Sequence, residues 1–234
     1  MDQMTDTDRE EMEATSGYLR YRRSAFRKQS GYPYIIMKLF PGPREKYLLT
    51  QAIENAAPKA RYVVDAYIPY DGAYTRILCA LVRADGVWLF ELDGREGILE
   101  PESDGRIWRH QIPSGREYRI CSPVISNMGH RKALATLFGL DEELVHGVVV
   151  FTDDTDFSRL PESDVSIVHL SEVGDLLRSE FTGDGQLTSL KQDDIYGDLL
   201  KYGDRDDDFR ALHGDRFISQ VWDAVEEESD AEKE

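Results

Sequence analysis

ILCALVRADGVWLFELDG, residues 77–94, reads as two strands joined by a tight turn at Asp85-Gly86. In the first strand Ile77, Cys79 and Leu81 stand against Leu78, Ala80 and Val82, so both faces are apolar, as in the middle of a sheet. In the second, Val87, Leu89, Glu91 and Asp93 share one face, and Trp88, Phe90 and Leu92 the other. Two carboxylates ending an otherwise buried strand are costly unless something pairs with them. They read as a metal site, as the remnant of one, or as acids paired with an arginine such as Arg76 or Arg95.

Outward from this hairpin the pattern stays regular. RYVVDAYIP (61–69) is a further strand across the PYDGAY turn. PGPREKYLLTQAIENA (41–56) is a helix with Pro43 in its first turn and an apolar stripe of Leu49, Ala52, Ile53 and Ala56. GRIWRHQIP (105–113) adds a strand, and residues 121–144 a helix begun by Ser122 and Pro123. VHGVVVFTDD (145–154) is a strand covered on both sides. VSIVHL (165–170) is another strand, and 171–181 a helix capped by Ser171. The order implies an α/β fold with one mixed central sheet flanked by helices. A polar and basic segment (1–40) precedes the α/β domain (41–181). An acidic helical appendage (182–225) and a disordered acidic tail (226–234) follow it.

Lys and Arg number 28 against 45 Asp and Glu, and the net charge of −17 lowers any non-specific attraction to nucleic acid or anionic membrane. No apolar run reaches the roughly 20 residues of a membrane span. Two cysteines, Cys79 and Cys121, are too few for a disulfide framework, and the N-terminus lacks the order of a secretory signal. The expectation is a cytoplasmic protein with no membrane partner.

One segment reverses the charge. In YLRYRRSAFRK (18–28), Arg20, Arg22, Arg23, Arg27 and Lys28 alternate with Tyr18, Tyr21 and Phe26. This reads either as a nucleic-acid contact, through phosphate pairing and stacking, or as a surface helix answering acidic neighbours. Asp204, Asp206, Asp208 and Asp215 match positions 1, 3, 5 and 12 of a calcium loop, but Phe209 stands where the turn needs glycine. A solvated acidic linker is the better reading, and the acidic C-terminal region is a candidate protein-partner element. The five histidines show no metal-ligand spacing.

From Gly42 to Phe181 the chain resembles the nuclease-related domain (NERD) family, which has a restriction-endonuclease-like fold. The residues that carry the resemblance are the early helix acid, the strand pair 77–94, the GRIW segment, the helix start SPVISNMGHRKAL, and VVVFTDD with VSIVHLSEVGDLL. The resemblance implies a divalent metal held by an Asp of the first hairpin strand and by the Glu of a Glu-x-Lys in the second. The lysine and a helix Gln would position the attacking water. On this sequence the Asp falls on Leu78, the Lys on Asp93 and the Gln on Ser126. Glu91 survives, with Glu45 in the first helix, and Pro123, Asn127 and His130 remain as scaffold and site wall.

Three readings follow. The first is a bacterial, catalytically degenerate nuclease-fold module that binds nucleic acid or a protein partner. The second is an active Mg²⁺-dependent DNA nuclease in which Glu91 and Asp93 hold the metal and Glu45 completes a rearranged carboxylate site. The third is a regulatory subunit that never touches nucleic acid. No other cofactor is implied.

Overall fold

The computed structural model describes residues 17–57, 59–103, 105–179 and 185–203. The expected hairpins open the main sheet. β1 (Arg61–Tyr70) pairs antiparallel with β2 (Ala73–Arg83), and β2 with β3 (Gly86–Asp93). The first turn places Asp71 and Gly72 at φ 47° and 73° between paired Tyr70 and Ala73, the left-handed conformation that an Asp-Gly hairpin supplies. The second turn is centred on Ala84-Asp85, one residue earlier than expected, because Arg83 pairs with Gly86. Gly86 has φ 145° and lies against the Leu144 carbonyl and the His146 ring, where no side chain fits.

β7 (Val145–Phe151) then runs parallel to β3, and β9 (Ser166–His169) parallel to β7, giving the order β1-β2-β3-β7-β9. A parallel pair needs a long crossover. Here it carries a second sheet as well as a helix. β4 (Gly97–Pro101), β5 (Ile107–Gln111) and β6 (Glu117–Cys121) form an antiparallel meander, and β8 (Thr155–Asp156) adds to its edge in the order β6-β5-β4-β8. The single mixed sheet expected from sequence is therefore two sheets, and the GRIW strand belongs to the smaller one. Leu99, Trp108 and Ile120 fasten it to Val149 and Phe151 of β7 in a core of its own.

Helices cover both faces of the main sheet. On one face α4 (Pro41–Ala56) inserts Leu49 and Ile53 against Leu78, Cys79, Leu81, Trp88 and Phe90, and α6 (Val173–Ser179) adds Val173 and Leu177. Each such side chain contributes on the order of 1.5–3 kcal/mol when fully buried. On the other face α5 (Pro123–Phe138) packs through Ala133, Leu134 and Ala135, and α7 (Ser189–Gly203) through Ile195 and Leu199. Ser122 caps α5 by accepting from the Ile125 N–H, and Gly139 ends it in the left-handed conformation. Among the described residues no helix is long and apolar enough to cross a membrane.

The N-terminal segment does not stand apart from this body. α1 (residues 17–23), α2 (Ala25–Ser30) and α3 (Tyr34–Leu39) send Tyr21, Phe26 and Met37 into the α4 core. The Gln29 side chain lies along the outer strand β1 like a further strand: its Nε2 donates to the Tyr62 carbonyl and its Oε1 accepts from the Val64 N–H, each at 2.9 Å. The aspartates of the calcium-like stretch and the acidic tail lie outside the described residues.

Candidate functional site

The carboxyl end of β3 and the start of α5 border an open cleft of about 340 Å³. Glu91, Asp93 and Arg95 form one wall, and Cys121, Ser122 and Ser126 the other. The position follows from topology. β3 and β7 are parallel, and clefts in such sheets open beyond the strand carboxyl ends.

Each acid of the resemblance has a place there. Glu91 Oε2 stands 3.4 Å from Nδ1 of His130, a fully buried ring on α5. Asp93 is grasped from within its own turn. Arg95 Nη1 donates to Oδ2 at 2.6 Å, and the Arg95 N–H donates to Oδ1 at 3.1 Å. Burial pushes the Asp93 carboxyl above its ordinary range, Glu91 adds to this, and Arg95 and His110 oppose it. Glu45 reaches in from α4 and lies against Gly94 so closely that a side chain there would strike its carboxylate. Burial raises the Glu45 pKa, and the charges of Asp93 and Glu96 raise it further against Arg44. The three acids therefore gather at one end of β3. They do not constitute a ligand set: among the described residues no group of three or more His, Cys, Asp or Glu is arranged to hold a metal.

The remaining positions of the scheme have structural employment. Leu78 is buried in the α4 core, filling the place of the first carboxylate with packed carbon. Ser126 is buried at the cleft floor. Asn127, expected at the site wall, is instead a fully buried brace, whose Nδ2 donates to the carbonyls of Leu89 (3.2 Å) and Val148 (3.4 Å). It thereby ties β3 to β7 and fits over Gly147, where any side chain would collide with it. His130 is also interior, its ring behind Glu91 rather than facing the cleft.

The basic segment divides by helical face. Tyr21 and Phe26 are buried among Tyr32, Tyr34 and Tyr47, with ring centroids 5.1–6.3 Å apart, so they are not available to stack on bases. Arg20, Arg22, Arg23 and Lys28 are exposed and Arg27 is half-buried. The aromatic half of the alternation is core, and the cationic half is surface.

Sequence reading missed the most unusual residue of the main sheet. Asp65, in the middle of β1, has φ 53°, a left-handed conformation that costs on the order of 1–3 kcal/mol in a non-glycine residue. Strand alternation would send its side chain to the α5 face, since Val63 and Ala66 lie in that core. The backbone turn delivers it to α4 instead. There Lys46 Nζ donates to both carboxylate oxygens at 2.8 and 2.9 Å, and Arg76 Nε of β2 lies 3.4 Å away. Asp65 and Lys46 are both nearly buried, their side chains 7% and 14% exposed. Arg76, one of the two arginines considered for the β3 acids, thus serves a different carboxylate. The available signal was an aspartate, a poor strand former, inside VVDAY.

Together these features define an α/β protein with two sheets, a carboxylate cleft closed by its own cations, and a buried ion cluster on the opposite face. Among known proteins the chain matches no family model, no curated protein and no solved structure.

Proposed function

We propose that the protein is a nuclease-related module of restriction-endonuclease-like fold that has turned from hydrolysis to binding, and that its ligand is nucleic acid. The observation that supports the loss of hydrolysis is the internal pairing of the cleft. Arg95 holds Asp93, the buried His130 faces Glu91, and Leu78 fills the position of the first acid. Metal hydrolysis needs free oxygens and a positioned water. The exposed arginines of α1 support a polyanionic ligand, being concentrated in a chain of net charge −17. The test is fluorescence anisotropy with labelled single- and double-stranded DNA and RNA at low and moderate salt. Binding is expected at low salt and is weakened about tenfold or more by the charge reversal R20E/R22E/R23E. No binding to any of the three at low salt overturns the reading.

A second reading has an observation of its own. Glu45 and Asp93 are crowded carboxylates whose charged forms are disfavoured, a condition that a divalent cation would relieve. On that reading the protein nicks plasmid with Mg²⁺ or Mn²⁺, and Glu91→Ala abolishes the activity.

A further inference from the structure

The Asp65 cluster forms the floor of a cavity of about 560 Å³, distinct from the β3 cleft and on the other face of the sheet. Lys28, Lys46 and Arg76 line it, with Asp65 their one carboxylate, and Tyr32 and Tyr67 stand in its wall. We propose that this cavity binds a phosphate monoester of nucleotide size.

The first ground is charge. Three cations face one carboxylate, an excess of two positive charges within a strongly acidic chain, and a phosphate monoester near neutral pH carries close to two negative charges. The second is geometry. Asp65 is turned out of strand alternation and fixes Lys46 through both oxygens, while its Oδ1 also faces Arg76 Nε. A buried carboxylate placed this way orients two cations toward one space, a preorganised anion site. Arginine offers a planar fork suited to phosphate, and lysine a point charge. The third is size and lining. The volume falls within the range of small-molecule sites, and the tyrosines offer a face to an attached base. The site is built from three separate elements, α2, α4 and the β1–β2 pair, so it is a product of the fold rather than of a local motif.

The phosphate has two possible sources, a free mononucleotide or the terminal phosphate of a strand. Lys28 belongs both to this cavity and to the basic segment, so the second source deepens the nucleic-acid reading and rests on it. Calorimetric titration of the full chain with AMP and with adenosine, together with anisotropy on 5′-phosphorylated and unphosphorylated oligonucleotides, separates the two.

AMP is expected to bind, adenosine to bind at least tenfold more weakly, and inorganic phosphate to compete. Arg76→Gln and Lys28→Gln, both on half-exposed or exposed side chains, should weaken AMP at least tenfold while leaving the circular dichroism spectrum unchanged. A strand end as the source adds a tenfold preference for the 5′-phosphorylated oligonucleotide that Arg76→Gln removes. AMP binding of this kind with no oligonucleotide binding upholds the cavity and overturns only the nucleic-acid function. Oligonucleotide binding that depends on Arg20, Arg22 and Arg23 but ignores both the 5′-phosphate and Arg76→Gln, with no AMP binding, overturns the cavity alone. Equal binding of AMP and adenosine, or AMP affinity unchanged in both variants, likewise refutes it.

Discussion

Replacing Lys46 by methionine tests whether Asp65 is held in its strained conformation by charge. The substitution keeps most of the aliphatic stem that α4 presents and removes the ammonium that bonds both Asp65 oxygens. Stripping one partner from a buried pair costs about 3–5 kcal/mol, because the other charge stays behind without its counterion. Asp65 retains Arg76 at 3.4 Å and borders a cavity, so the expected loss is smaller, about 2–3 kcal/mol. For a chain of this size that corresponds to a fall in Tm of roughly 5–10 °C. Urea denaturation gives the free energy directly, provided the slope with denaturant is unchanged. The decisive comparison is K46M/D65N, which removes the stranded charge and should recover about 1 kcal/mol or more over K46M alone. A loss below about 0.5 kcal/mol in K46M, or a double variant no more stable than K46M, would show that the cluster is not held by charge.

Four further outcomes follow from the same structure. Asn127→Ala removes two buried bonds between β3 and β7 and leaves a void, and should cost about 2–4 kcal/mol in denaturant unfolding. Gly86→Ala drives a methyl group into the Leu144 carbonyl at an unfavourable φ, and should cost at least about 2 kcal/mol by the same measure. Glu45 and Asp93 have folded pKa values raised above their unfolded ones, so the native state binds their protons more tightly and stability falls as pH rises through the carboxylate range. Glu45→Gln removes one such term and should raise Tm by about 1–2 °C at pH 7, with little change below the unfolded glutamate pKa. Arg95→Ala deletes the cation that opposes burial at Asp93, so carboxyl NMR titration should find the Asp93 pKa higher still; a lower value would contradict the assigned pairing.

Much of the scaffold was legible because its signals are local. The alternation in residues 77–94 and the Asp-Gly turn placed three strands, and the prolines and Ser122 placed α4 and α5. The smaller sheet was not legible. GILEP and EYRIC are short, mix charged with apolar residues, and become strands only through pairing with IWRHQ. At the β3 cleft the acids were readable, but not their partners, since Arg95 bonds within a turn and His130 approaches from another element. Asp65 escaped for a deeper reason. Its left-handed turn is imposed by Lys46 and Arg76 from distant elements, and VVDAY carries no mark of it beyond one aspartate.

Gln29 gives the architecture a property that no catalytic reading touches. An outer strand offers its unpaired amides as a template on which another chain can deposit, and proteins hide such margins at some cost. Here one side-chain amide imitates the missing neighbour, giving and accepting one bond at Tyr62 and Val64. The first helices are thus a stopper on a growing end. Cutting the chain after Ser30, or exchanging Gln29 for a residue without an amide, would uncork that margin and turn a self-limited sheet into one that recruits copies of itself.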